Sequence, residues 1–321
     1  MTVLPLGQAE QANTLAVLRA FLTYKYLRVI VPFPAVMILI GLAIEFSITR
    51  TWRQSISSYY EGPVRDLFVG GLIATAICLI AYKGESKFED MALNFAGFNA
   101  ILVALMPSNL EQVLSDPDPA HRPGGLTSDQ FLQFSRLVLV ALLVLALLFV
   151  FLDQRLFSPE GFNWDSQPGL AKLLIICSVI TEAVLLVEVL TFILTGSTIV
   201  LGLGWIHNLA AIFLIMNLSF AVASHGWPER LKVKKTEPGL ADDPDPQPGG
   251  GHQRGRDFYR WFAVVMWLTL LGGGIMIIMD FVRHIQDGHW VIVEECLGIG
   301  FFIVFWFYAS RDVWKSVTLK G

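Results

Sequence analysis

Residues Gly169–Thr195 read GLAKLLIICSVITEAVLLVEVLTFILT, a nearly unbroken apolar run with Lys172 at its start and two carboxylates, Glu182 and Glu188, inside it. A bilayer core takes about 20 apolar residues in helical form, because a backbone polar group left open there finds no water to bond. The run therefore reads as a transmembrane helix. Further stretches of the same kind cover about 27–48, 64–83, 90–107, 134–153, 197–224, 258–282 and 290–310. The fold class expected is an all-α polytopic integral membrane helix bundle of eight transmembrane helices, with both termini cytoplasmic.

Composition agrees. Hydrophobic residues make up 54% of the 321 and charged ones 16%, against about 25% charged in an average soluble domain. The net charge of −4 offers nothing to nucleic acid. Cys78, Cys177 and Cys296 lie singly in apolar runs, without the spacing of a disulfide framework or a zinc motif.

Orientation follows from Lys and Arg, which stay on the cytoplasmic side. With the N-terminus inside, 17 of the 23 basic residues fall in cytoplasmic segments and 6 outside. Trp164, Trp227, Trp261 and Trp314 then lie near the inner boundary, and Trp52, Tyr59, Tyr60 and Trp290 near the outer one. The chain divides into an N-terminal interfacial segment (1–26), transmembrane helices 1–6 (27–224), a largely disordered cytoplasmic loop (225–257), transmembrane helices 7–8 (258–310) and a cytoplasmic tail (311–321). The segment from Asp116 to Gly125, rich in Pro, Gly and Asp, reads as a second disordered loop. The fifth and sixth spans meet at Thr195–Thr198, which predicts a tight helical hairpin.

Ionisable groups inside a bilayer cost about 2.5 kcal/mol or more on insertion scales, so each requires a reason. Glu182, Glu188, His207 and Asn208 form an intramembrane polar set. Counted from Gly196 at ~1.5 Å per residue, His207 falls at ~16 Å, between Glu188 at ~12 Å and Glu182 at ~21 Å. One reading has a glutamate exchanging a proton or cation with His207 tuning it; the other has a protonated glutamate joining two helices. At the outer boundary Ser55, Ser57, Tyr59, Tyr60, Arg65 and Asp66 offer hydroxyls, phenols and a guanidinium suited to a polar headgroup or small solute. Asp280, His284, His289, Glu294 and Glu295 supply oxygen and nitrogen ligands for a divalent metal, although no HExxH pattern is present. No other cofactor is expected. Asp66, Glu89 and Asp90 also complement a helix N-terminus.

These sets lead to proton- or cation-coupled transport or binding of a small solute, by a pathway from the Ser55–Asp66 loop toward Glu182, Glu188 and His207. The alternatives are a membrane-embedded metal-dependent hydrolase or transferase acting on lipid headgroups at the extracytoplasmic face, and a noncatalytic membrane subunit. The expected partners are membrane lipids and a small solute, proton or cation.

From Ser55 to Pro107, the pattern Ser55-Ile56-Ser57, Tyr59-Tyr60, Arg65-Asp66, Phe68-Val69-Gly70, Tyr82-Lys83-Gly84, Glu89-Asp90, Ala96-Gly97 and Pro107 resembles a group of bacterial multipass inner-membrane proteins without an assigned activity. The resemblance implies a bacterial cytoplasmic (inner) membrane location and a role for the outer loop.

Overall fold

The computed structural model describes residues 6–53, 55–84, 86–119, 122–157, 163–199, 202, 204–231, 250–283 and 290–318. Among them the regular structure is all helical. The helices are α1 (Leu6–Ile30), α2 (Phe33–Thr49), α3 (Arg65–Ala81), α4 (Lys87–Leu105), α5 (Leu110–Ser115), α6 (Ser128–Leu152), α7 (Gly169–Thr195), α8 (Trp205–Gly226), α9 (Pro228–Leu231), α10 (Gly250–Arg283) and α11 (Trp290–Thr318). Their ends follow local rules. Ser86 caps α4 by accepting from the Glu89 amide, and Thr127 with Gln130 forms a capping box on α6. At the other end of α7, Gly196 takes φ +76, a left-handed turn open to glycine.

Among the described residues seven helical stretches are long and apolar enough to cross a membrane, from Thr14–Thr49 to Val291–Arg311, which is compatible with a multipass membrane protein. The faces turned away from the bundle carry large apolar side chains: Leu137 is 67% exposed, Leu147 71% and Leu194 75%. A surface of that kind fits lipid as its solvent. α3, with 17 residues, is shorter than these seven. It nonetheless enters both apolar clusters of the core, through Phe68, Leu72 and Ala76 in one and Leu79 in the other.

Three sequence expectations change. The fifth and sixth apolar runs are not a tight hairpin: α7 stops at Thr195 and α8 starts only at Trp205, although the two helices do pack together. Gly202, at φ +100, lies against Glu111, and Gly204 against the Ser108 carbonyl, where a Cβ would collide. The Asp116–Gly125 segment is organised by Arg122, whose buried guanidinium donates to the carbonyls of Val113 (2.8 Å), Leu126 (3.2 Å), Leu114 (3.4 Å) and Asp116. One side chain thus replaces the ladder that the loop lacks. Finally, α10 begins at Gly250, inside the stretch expected to be disordered loop, and α1 runs from Leu6 nearly into α2. The basic residues Lys232, Lys234 and Lys235 lie outside the described residues.

α4 is the central helix, flanked by α3 on one side and α8 on the other. Small residues allow this. Ala92, Ala96, Ala100 and Ala104 are fully buried, and a Cβ on Gly97 would stand 2.9 Å from the Ala76 carbonyl of α3. Gly97→Val should therefore push α3 from α4 and destabilise the bundle by about 1–3 kcal/mol; thermal unfolding in detergent measures it, and an unchanged midpoint would contradict this packing.

Candidate functional site

The antiparallel pair α4–α8 carries buried polar groups at three depths. Glu89, Asn99 and the Met106 carbonyl follow in order along α4 and its end, while His225, Asn217 and His207 follow in the reverse order along α8. Each meets its opposite number, directly or through a third helix.

At one end, His225 Nε2 lies 2.9 Å from Glu89 Oε1, and Ser224 Oγ donates to Glu89 Oε2 at 3.5 Å. The His225 ring packs between Tyr259 and Phe305. Close by, Arg28 Nη1 donates to the Tyr24 hydroxyl at 3.2 Å, and Tyr24 donates to Tyr82 at 2.7 Å. Sequence reasoning assigned Glu89 to the helix dipole alone. Its position opposite His225 is a matter of helix register, which local pattern does not carry.

At the middle depth, Glu182 Oε1 accepts from Asn99 Nδ2 at 2.6 Å and from Asn217 Nδ2 at 3.1 Å. Ser178 Oγ donates to Asn217 Oδ1 at 2.9 Å. Asn99, Asn217 and Ser178 are fully buried. The two asparagines went unremarked in the sequence, although a carboxamide inside an apolar run was the signal available. Glu188 is elsewhere: its Oε2 accepts from the Ile199 amide at 2.9 Å and so holds the chain after α7. Asn208 is half-buried in the first turn of α8.

The third layer joins members of all three sets singled out above. Ser57 Oγ lies 2.7 Å from His207 Nε2 and 3.5 Å from Glu295 Oε1. His207 Nδ1 lies 2.5 Å from the Met106 carbonyl, and the Ile56 amide donates to Glu295 Oε2 at 2.5 Å. His207 is the third residue of α8, so it sits at the helix end and not between the glutamates in depth.

The sequence of the α2–α3 connection explains how Ser57 reaches it. Ser55, in extended conformation, caps the 3₁₀ turn Ile56–Glu61 by accepting from the Ser58 amide. Arg53 then clamps the turn from outside. Its Nε and Nη2 meet Glu45 Oε1, both at 3.1 Å, Nη1 donates to the Ser58 carbonyl at 3.1 Å, and its plane covers the Tyr59 ring at 5.2 Å. Tyr59 is fully buried, and burial pushes its phenol pKa up. Arg65 and Asp66 pair at 3.4 Å, but the Asp66 side chain is 95% exposed and stands apart from the centre. The side chain of Tyr60 lies outside the described residues.

A cavity of about 110 Å³ opens beside this layer, between α2, α3, α4, α8 and α11. Ile38, Phe68, Leu72, Leu214, Ile299 and Phe302 wall it, and Ser57 and Glu295 are among its few polar residues. It follows α8 from Ala211 to Leu218 and α11 from Glu295 to Phe302, about 10 Å at ~1.5 Å per residue.

Of the residues considered as metal ligands, Glu295 belongs to the Ser57 layer and Glu294 meets the Gly273 amide. The Asp280 side chain, His284 and His289 lie outside the described residues. Among the described residues, no three His, Cys, Asp or Glu side chains gather as a metal site.

Fold and centres together define an all-helical bundle, compatible with a multipass membrane protein, in which buried polar layers are threaded on one helix pair. No family model, curated protein or solved structure matches the chain.

Proposed function

We propose that this chain is a multipass protein of a bacterial inner membrane that takes up a lipid at its extracytoplasmic face and acts on it as a hydrolase or transferase. The supporting observation is the meeting of an elongated apolar cavity with the hydrogen-bonded Ser57–His207–Glu295 layer. A concave apolar space with a few convergent polar groups is the usual form of a small-molecule site. The lipid chain lies along α8 and α11, and its polar end meets Ser57. The centre takes Glu295 from the residues considered for a metal and uses it as a hydrogen-bond acceptor.

The topology proposed has eight spans with both termini cytoplasmic. α3 connects the α2 end near Ser57 to the α4 end near Glu89, so it travels the same thickness as its neighbours despite its length. The distribution of basic residues puts the Ser57 end outside.

A phospholipid with a photoreactive group on its acyl chain, incorporated with the protein in nanodiscs, tests the site. Cross-links should concentrate on peptides containing Leu214 and Ile299, and Gly298→Leu, which fills the cavity, should lower them about tenfold, a loss of ~1.4 kcal/mol of binding. Cross-links confined to the outer faces of α6 and α7 would overturn the assignment.

Coupled transport is the second reading, favoured by one observation: Glu182, a carboxylate within a span, is held by the carboxamides of Asn99 and Asn217. In this reading Glu182 takes the proton or cation, Glu188 anchors the loop after α7, and His207 belongs to the lipid site.

A further inference from the structure

We propose that Ser57 is a nucleophile and His207 its general base, and that the bond attacked is the carboxylic ester of a long-chain lipid; the inference rests on the lipid-processing reading above. The hydrogen-bond chain supplies the argument. A carbonyl oxygen only accepts, so the 2.5 Å contact with the Met106 carbonyl assigns the hydrogen on His207 to Nδ1. In the neutral ring Nε2 then carries a lone pair, and the Ser57 hydroxyl at 2.7 Å donates to it. This is the arrangement that activates a serine: base within hydrogen-bond reach, and the base itself oriented by a third group. Here a backbone carbonyl at the end of α4 does the orienting. His225, by contrast, faces a carboxylate at its Nε2.

The serine is also held in place. Ser55 caps its turn, Arg53 fixes the turn's carbonyl at Ser58, and Glu295 fixes its first amide at Ile56. Preorganisation of this kind is what a reacting group needs and what a spacer loop does not. Glu295 acts through the turn and is a positioning residue.

The surroundings choose the substrate. The cavity lining includes no Lys or Arg, and Arg53 is already bound to Glu45. Phosphoryl transfer draws on cations to neutralise equatorial oxygens, and among the described residues lining this cavity there is no Lys or Arg to supply one. An acyl ester carries no charge at its carbonyl, and its chain matches the apolar walls. In the first step Ser57 Oγ adds to the ester carbonyl carbon while its proton passes to His207 Nε2. The carbon–oxygen bond to the alcohol then breaks, His207 returns the proton to that leaving oxygen, and an acyl-Ser57 ester remains. Water, or the hydroxyl of a second lipid, attacks this ester with the same proton shuttle, releasing a fatty acid or a new ester and restoring Ser57.

The test is covalent labelling of the full chain in nanodiscs with a long-chain alkyl fluorophosphonate, in which Ser57 Oγ displaces fluoride. Peptide mass spectrometry should find the adduct on Ser57, and Ser57→Ala should lose it. His207→Gln should slow labelling about 10²–10⁴-fold, the range of a removed general base; Glu295→Ala, which takes the acceptor from the Ile56 amide, should also slow it, and Glu295→Gln, which keeps an acceptor there, should recover part of the rate. Gly298→Leu should lower the ratio of long-chain to short-chain probe labelling about tenfold, ~1.4 kcal/mol. An unlabelled Ser57 in protein that still cross-links the photoreactive lipid would overturn the nucleophile and leave the lipid site standing. Labelling that is indifferent to His207→Gln would overturn the base, and loss of both signals in folded wild-type protein would overturn the site as well.

Discussion

Glu89→Ala should cost the protein roughly 3–5 kcal/mol of stability, the range for removing one partner from a buried ionic or hydrogen-bonded pair. Glu89 is 2% exposed, and its carboxylate is the acceptor facing both His225 Nε2 and Ser224 Oγ. Its loss takes the partner from His225 Nε2 among Phe88, Phe220, Tyr259 and Phe305, while Ser224 keeps its 2.8 Å bond to the Ala221 carbonyl. The cavity left by the side chain adds to the cost. Glu89→Gln keeps an acceptor in the same place and should lose markedly less. Thermal unfolding in detergent, followed by size-exclusion recovery, separates the two; equal losses would mean that charge, and not the hydrogen-bond pattern, holds this end together.

The second large effect concerns Glu182. If the carboxylate exchanges a proton with a transported species, Glu182→Gln should bring proton-coupled flux in reconstituted vesicles to background with folding intact. The glutamine carbonyl can still accept from Asn99 and Asn217, so the three-helix junction of α4, α7 and α8 survives. Glu182→Leu removes that acceptor as well and takes from the buried Asn99 carboxamide the oxygen it donates to, at about 1–3 kcal/mol, while Asn217 keeps the Phe213 carbonyl and the Ser178 hydroxyl. Unchanged flux in Glu182→Gln would remove transport through this residue and leave Glu182 as a helix-joining group. The contrast between the variants thus distinguishes proton exchange from structural bonding.

Parts of the candidate site were visible in the chain. Ser57, His207 and Glu295 each stood out as polar residues in or beside apolar runs, yet they were assigned to three separate groups. Ser57 and His207 are 150 positions apart and Ile56 and Glu295 are 239 apart. Spacing rules relate residues three or four apart on one helix and say nothing of such pairs. The depth of His207 differs for a local reason: α8 begins at Trp205, with Gly202 and Gly204 before it packed on Glu111 and Ser108, so His207 falls in its first turn. Asn99 and Asn217 carry no charge, so a search for ionisable groups inside the apolar runs passes over them.

What the amino-acid order determined alone is the helical character of the long apolar stretches and their compatibility with a membrane. An apolar stretch such as Gly169–Thr195 satisfies its backbone within itself, by bonds four residues apart, so a helix long and apolar enough to cross a membrane follows from composition and length. Which polar groups meet was decided by tertiary structure. The antiparallel register of α4 against α8 lines up Glu89 with His225, Asn99 with Asn217 and the Met106 carbonyl with His207, and the Arg53 clamp then turns Ser57 toward that histidine. Register depends on how Gly97 and the buried alanines of α4 let neighbouring backbones approach. That is a property of packed surfaces, and it exists only once the helices are together.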